Sequence, residues 1–279
     1  MVNKSRGWTS HDVVAKVRRL AGQKRVGHAG TLDPLAEGVL PVLLGRATRL
    51  ANFVQHGQKT YRASVALGRA TETDDAEGSV TATAVVPALS ADTVEAALDA
   101  FRGEILQKPP AYSALKVAGQ RAYAVARRGE DIDLAARPVT IHALRLLSLD
   151  VTSLELEVTC SKGTYVRALA RDLAIALGTL GHLGALLRTR VGPFGLEQAA
   201  TLDQLASVDF PDAVLSASTV LPDALRYTAD AAQATHLLNG QPVPLADLHG
   251  DAIWVYDPSG QLICLAAADG SVLRPRLAL

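Results

Sequence analysis

Residues 154–178 read LELEVTCSKGTYVRALARDLAIALG, and the hydrophobic period changes partway through. Leu154, Leu156, Val158 and Cys160 alternate, as one buried face of a strand does. Val166, Leu169, Ala170, Leu173 and Leu177 then recur at helical spacing up to Gly178. A strand feeding directly into a helix points to a mixed sheet with helices, an α+β fold. The flanking sequence agrees. Lys59–Leu67 alternates with Tyr61, Ala63, Val65 and Leu67 on one face. Ser10 is expected to cap a helix striped by Val13, Val14, Val17 and Leu20, with Gly22 past its end. Ser90 is expected to open another that carries Val94, Leu98 and Phe101 and closes at Gly103.

A boundary is expected near Pro222, giving one part over 1–222 and a small one over 223–279. The tail reads as short strands and turns, including a hairpin turning at Asp257, Pro258, Ser259 and Gly260. With 48% hydrophobic residues the chain can bury a sizeable core. No apolar run approaches the roughly 20 residues that span a bilayer, and the first residues lack the pattern of a signal peptide. Cys160 and Cys264 make neither a metal-ligand spacing nor a disulfide framework, so buried free thiols in a reducing cytoplasm are expected.

The net charge of zero hides an asymmetry. Residues 1–70 hold 12 lysines and arginines against Asp12, Asp33 and Glu37, a net +9. Residues 71–100 carry seven acids and no lysine or arginine, and 201–279 carry nine acids against three arginines. A strongly basic segment in a neutral chain suits a polyanion; it equally suits a solvated basic face.

Several chemistries lack their signatures. The seven histidines form no i,i+3 or i,i+4 pair, and the chain has no GxxxxGK[ST] loop, no strand-linked GxGxxG and no GxSxG. The densest remaining segment is GHAGTLDPLAEGVL, 27–40. Its glycines permit close backbone approach, Pro34 holds Asp33 out of helical geometry, and His28 lies five residues before Asp33. An active-site loop and an ordinary capped turn both fit. In SKGTYVR (161–167), Lys162 and Gly163 could approach phosphate. Arg167 falls in a first helical turn, where the dipole disfavours a cation, which suggests an anionic partner such as Asp33. In PPAYSALKVAGQRAYAVARRG (109–129), Tyr112, Lys116, Tyr123, Arg127 and Arg128 interleave rings with charge, as RNA contacts or a packed loop would.

Together these segments resemble the bacterial tRNA pseudouridine-55 synthases. The resemblance rests on KSRGWTSHDVV, RVGHAGTLDPLAEGVLPVLLGRAT, KTYR, TETDDAEG, PPAYSALKVAGQRAYAVARRG, CSKGTYVR and LGALLRTRVGPF, in that order over about residues 3–200. It implies a pseudouridine-synthase mixed sheet with flanking helices and an RNA-binding cleft over 1–222, plus a small β-rich, PUA-like domain over 223–279. It implies that uridine 55 in the T-loop of tRNA is flipped out and isomerised by a catalytic aspartate, Asp33, without a cofactor. Tyr61 and Arg167 are the implied catalytic companions, one stacking on the base and one pairing with the aspartate. His28, Tyr165, Leu186, Lys4, Lys162 and Arg188 are the implied substrate-binding residues. The implied partner is the tRNA T-arm, and a cytoplasmic monomer is expected.

The reaction explains the residue types. The N1–C1′ bond breaks, the uracil turns over and C5 bonds to C1′, with nothing oxidised or hydrolysed. A carboxylate can serve as nucleophile or base, and an arginine partner favours the ionised form of a carboxylate. The chain departs from the family pattern in its short segment before Lys4, in Ser5 after it, and in Glu37, which is expected to point outward. Two other functions are compatible with parts of the sequence: a tRNA-binding folding chaperone that needs no catalysis, and a carboxylate-dependent nucleoside hydrolase.

Overall fold

The computed structural model describes residues 1–113, 115–117, 120–126, 128 and 134–279, with the side chains of Lys116, Val117, Arg121, Ala124 and Ala126 also outside the description. The expectation for Lys116 and Arg127 therefore lies outside the described residues.

The main sheet contains Val2–Lys4 (β1), Glu37–Leu40 (β2), Lys59–Leu67 (β3), Gly103–Gln107 (β4), Arg137–Asp150 (β5), Ser153–Cys160 (β6), Gly181–Val191 (β7) and the short Phe194–Gly195 (β8). Their order is β1-β2-β7-β3-β6-β5-β4, with β8 paired to β7. Every pair is antiparallel except β2 with β7, which makes the sheet mixed. The alternation in β3 and β6 puts Ala63, Val65, Leu154, Leu156, Val158 and Cys160 into one core. Burying each large aliphatic side chain contributes about 1.5–3 kcal/mol.

Three helices cover this sheet: Ser10–Leu20 (α1), Ala91–Asp99 (α2) and Val166–Ala176 (α3). They bury Val13, Val14 and Val17, then Val94 and Leu98, then Leu169, Ala170 and Leu173. Ser90 caps α2 as expected, accepting from the Thr93 amide, but α2 ends before Phe101, and Gly103 opens β4. At α1 the cap is Thr9 instead of Ser10. Thr9 is extended, its hydroxyl accepts from the Asp12 amide, and Asp12 answers to the Thr9 amide in a capping box. Ser10 is freed for another role: its hydroxyl bridges both polar backbone atoms of Leu32, at 3.0 and 2.9 Å.

Residues 225–278 form a second sheet from Leu225–Thr228 (β9), Val243–Pro244 (β10), His249–Tyr256 (β11), Leu262–Asp269 (β12) and Val272–Ala278 (β13). Its order is β9-β11-β12-β13-β10. The hairpin at 257–260 forms, with the Gly260 amide donating to the Asp257 carbonyl at 2.9 Å. The helix Ala231–Leu238 (α4) within this segment was not expected. Asp230 and Gln233 form its capping box. Trp254 and Leu265 from this sheet share a cluster with Leu50, Val191 and Phe194. Among the described residues no helix is long and apolar enough to cross a membrane.

Candidate active site

The parallel contact between β2 and β7 fixes one wall of a cleft. Arg188 of β7 pairs with Gly38 of β2 on one side and with Tyr61 of β3 on the other. Gly38 has φ of +100°, and a Cβ there would lie 2.2 Å from the Arg188 carbonyl oxygen, so only glycine fits. Arg188 is buried and donates to the carbonyls of Val39 (2.8 Å), Gly30 (3.0 Å) and Thr31 (3.4 Å). It thereby staples the loop that precedes Asp33 to the sheet.

The rest of that loop is fixed by its backbone. Ser10 holds Leu32, and the Ala36 amide donates to the Asp33 carbonyl at 3.0 Å. Lys4 corrects an expectation. It was expected to bind substrate, but it is fully buried, and its ammonium donates to the carbonyls of Ser5 (3.1 Å), Trp8 (2.7 Å) and Pro34 (3.3 Å). A buried ammonium needs such acceptors, so Lys4 braces the loop from behind and does not line the cleft. Glu37 is exposed, as expected.

Asp33 stands in a cleft of about 810 Å³. Its carboxylate meets the Arg167 guanidinium at 2.9 Å; its own side chain is 45% exposed and that of Arg167 only 7%. Arg167 sits in the first turn of α3 and is fully engaged. It donates to the carbonyls of Thr73 (2.8 Å) and Tyr112 (2.9 Å), and its Nε faces Asp75 at 3.5 Å. Asp75, whose side chain is 5% exposed, belongs to this constellation, and the sequence reading did not single it out. Its other oxygen accepts from the Thr73 hydroxyl (2.5 Å) and the Glu77 amide (3.0 Å). The loop holding it docks on β7 through two backbone bonds, Leu183 N to Asp74 O and Ala76 N to Leu183 O.

A second residue outside the sequence reading is Gln107, buried at the end of β4. Its amide grips Tyr165 both ways, donating to the carbonyl (3.1 Å) and accepting from the amide (2.9 Å). Tyr165 precedes α3, so this clamp sets where the helix begins and where Arg167 emerges.

Tyr61, Tyr165, Leu186, His28, Lys162 and Arg188 all line the cleft with Asp33 and Arg167. Burial raises the pKa of the Tyr61 phenol, against an opposing pull from Arg188. Burial likewise raises Tyr165, with Ser113 opposing. Burial lowers His28, helped by His11 and Arg188, and its buried Nδ1 has no hydrogen-bond partner among the described residues. Lys162 is exposed and contacts the ring of His56. Lys59, also on the cleft wall, is lowered to about 8, chiefly by burial and then by Arg188. Among the described residues no group of three His, Cys, Asp or Glu could hold a metal ion. The cleft offers a half-exposed carboxylate, Asp33, beside a fixed cation, with Glu77 also exposed on its lining and with aromatic, apolar and basic side chains in its walls.

The family model for the N-terminal domain of TruB family pseudouridylate synthases matches 18–166, and the one for the C-terminal domain of tRNA pseudouridylate synthase B matches 167–225. The chain is 45% identical to tRNA pseudouridine synthase B of Arthrobacter sp. (strain FB24), covering 99% of this chain and 94% of the relative. It is 46% identical to that of Thermobifida fusca (strain YX), covering 95% and 92%. In fold it is similar to a structure of an H/ACA RNP bound to a substrate RNA containing 2′-deoxyuridine, with a TM-score of 0.73 at 21% identity, covering 99% of this chain and 83% of that one. A Cbf5-Nop10-Gar1 complex gives 0.72 at 23%, covering 100% and 83%. The family models and the curated relatives place the chain in the TruB family of pseudouridylate synthases, as an isomerase acting on tRNA.

Proposed function

We propose that the chain isomerises uridine 55 of the tRNA T-loop and that Asp33 carries the chemistry. The observation that carries this reading is the half-exposed Asp33 carboxylate held at 2.9 Å by a buried arginine inside the cleft. Arg167 is fixed by three other groups, so Asp33 is oriented while one of its faces stays open to a ligand. The target uridine is flipped out of the folded loop, at about a few kcal/mol, and seated against Tyr61, with Leu186 and Tyr165 closing the walls. The carboxylate attacks the uridine or removes a proton from it, the N1–C1′ bond breaks, the detached uracil turns over in place, and C5 bonds to C1′. The carboxylate is freed again as C5 loses its hydrogen as a proton to solvent and N1 takes a proton up.

Tyr61 acts as a wall and stacking surface. A phenol whose pKa is raised by burial is a poor base at neutral pH. His28, kept neutral by burial, lines the cleft and helps hold the flipped nucleotide in place through its ring. Lys162 faces the RNA backbone. Arg188 acts indirectly, by holding the Asp33 loop. No cofactor takes part. We assign catalysis to 1–222 and treat 223–279 as the small PUA-like unit. We take the enzyme to be a cytoplasmic monomer that recognises the T-arm.

The test is tritium release from an unmodified tRNA transcript labelled at uracil C5. Stoichiometric release from one T-loop uridine, absent with Asp33→Ala, is expected. No release by a folded protein that still binds tRNA would leave the chaperone reading.

A further inference from the structure

The chain has two tryptophans, and they are placed very differently. Trp254 is 1% exposed, inside the cluster shared by both sheets, and its indole donates to the Leu221 carbonyl at 2.9 Å. Trp8 is 38% exposed. A single exposed apolar side chain is common; what distinguishes Trp8 is its mounting. The turn that carries it is fixed from below by the buried Lys4 ammonium, which binds the carbonyls of Ser5, Trp8 and Pro34. The Gly7 amide adds a bond to the same Pro34 carbonyl at 2.9 Å, with Gly7 at φ +85°. Pro34 directly follows Asp33, so the turn hangs on the loop that holds the candidate nucleophile.

The neighbours of the turn interact with residues that line the cleft. Arg6, exposed, interacts electrostatically with Glu77, which lines it. His11 meets His28 edge-on with ring centroids 5.5 Å apart, and His28 lines the cleft as well. The rim beside Pro34 thus presents a cation and aromatic rings on a rigid support, within the net +9 segment.

We propose that Trp8 is a stacking platform for an unpaired nucleobase of the tRNA substrate next to the uridine over Asp33, with Arg6 meeting the adjoining phosphate. The proposal rests on the function proposed above for the seating of RNA at this cleft. A base beside a flipped nucleotide loses a stacking neighbour, and an indole face replaces it for any base identity. The platform would strengthen binding and fix the register of the loop without reading sequence.

The two tryptophans supply the test. Emission is followed while unmodified tRNA transcript is added to full-length Asp33→Ala protein, in which no turnover intervenes. Quenching is expected, together with reduced access of acrylamide to the exposed indole. The change should vanish with Trp8→Phe and survive Trp254→Phe. Filter binding should show Trp8→Ala weakened by about 5- to 100-fold, with Trp8→Phe recovering most of the loss. Unchanged affinity in Trp8→Ala, together with unchanged emission and acrylamide access in the complex, would overturn the proposal. Equal quenching by a fully paired RNA duplex would also overturn it, because the indole would then be meeting backbone. Tritium release tests Asp33 separately, so either idea can fail without the other.

Discussion

The loop that carries Asp33 and the loop that carries Asp75 bring the same residue type to the same guanidinium, through different nitrogens of Arg167. Their surroundings divide the labour. The Asp33 loop is held by its backbone, through Ser10, Lys4 and Arg188, and its carboxylate remains 45% exposed. In the other loop the side chain itself holds the backbone. Asp75 is buried, with one oxygen taken by Thr73 and Glu77 and the other turned to Arg167. An aspartate with open lone pairs can meet a substrate, and one with its lone pairs filled can only position its neighbours. On the proposed mechanism, this difference separates a catalytic residue from a positioning residue.

The largest effect should follow loss of the exposed member. Asp33→Ala is expected to lower tritium release by about 10⁴-fold or more, roughly 5.5 kcal/mol of barrier, with tRNA binding kept and thermal stability little changed. Asp75→Asn should have a smaller effect on rate and a larger one on stability. The asparagine keeps an acceptor for Thr73, but it either turns an N–H toward Arg167 or loses its other bonds. Breaking a buried ion pair costs about 3–5 kcal/mol when the partner is stranded. Here the carbonyls of Thr73 and Tyr112 still hold Arg167, so the expected cost is about 2 kcal/mol of stability, read as a lowered melting temperature. A rate loss of about 10²-fold should accompany it. A variant with wild-type rate would mean those carbonyls alone orient Arg167, and the comparison between the two aspartates would collapse.

The two loops also differ in how far the sequence revealed them. Glycines and a proline around Asp33 mark a constrained loop, and Arg167 in a first helical turn calls for an anion, so that half of the pair could be anticipated. TETDDAEG reads locally as a solvated acidic turn. Nothing in it says that Asp74 meets Arg171 while Asp75 meets Arg167. That sorting depends on the positive φ of Asp74 and on docking to Leu183, both consequences of tertiary contact. The net +9 of the first 70 residues also overstated the free basic surface. Lys4 and Lys59 are buried, and Arg46 and Arg49 donate to the carbonyls of Leu279 and Ala278. The strand and helix periods marked β3 and β6 of the main sheet and the three helices that cover it, but not the other strands or their order. The helix Ala231–Leu238 was missed although Asp230, Gln233 and Gly240 are its cap signals.

Arg167 has a further tether on the helix side, and Gln107 tests whether the helix start matters as much as the loops. Gln107→Glu keeps the acceptor for the Tyr165 amide and loses the donor for its carbonyl, unless the new carboxyl is protonated. Burial favours the neutral form of an acid, so lowering the pH should restore the missing donor. The variant is expected to lose about tenfold in rate at pH 8, and to recover to within about threefold of wild type near pH 5.5. Gln107→Leu should stay low throughout. If both variants tracked the wild-type pH profile at a constant fraction, the clamp would have only a packing role.

The smallest effect should come from the aspartate next door, which sharpens the contrast because it differs from Asp75 by one position. Burial raises the pKa of Asp74 despite the Arg171 guanidinium at 2.7 Å. A carboxyl raised in the folded state binds more protons there than when unfolded, so its contribution to stability declines as pH climbs above the ordinary value of 3.8 toward the folded one. At neutral pH the ionised Asp74 is therefore no net support. Asp74→Asn preserves the side-chain shape and tolerates the positive φ of 59°. It also leaves the Asp74 carbonyl bonded to Leu183, and Arg171 retains Asp172 at 2.8 Å and the Lys108 carbonyl at 2.9 Å. The expected change is within about 1 kcal/mol in stability, with activity within about twofold of wild type and a flatter dependence of melting temperature on pH above 4. A loss as large as that of Asp75→Asn would show that the loop acts as one charged unit, and that burial of the individual carboxylate does not decide its role.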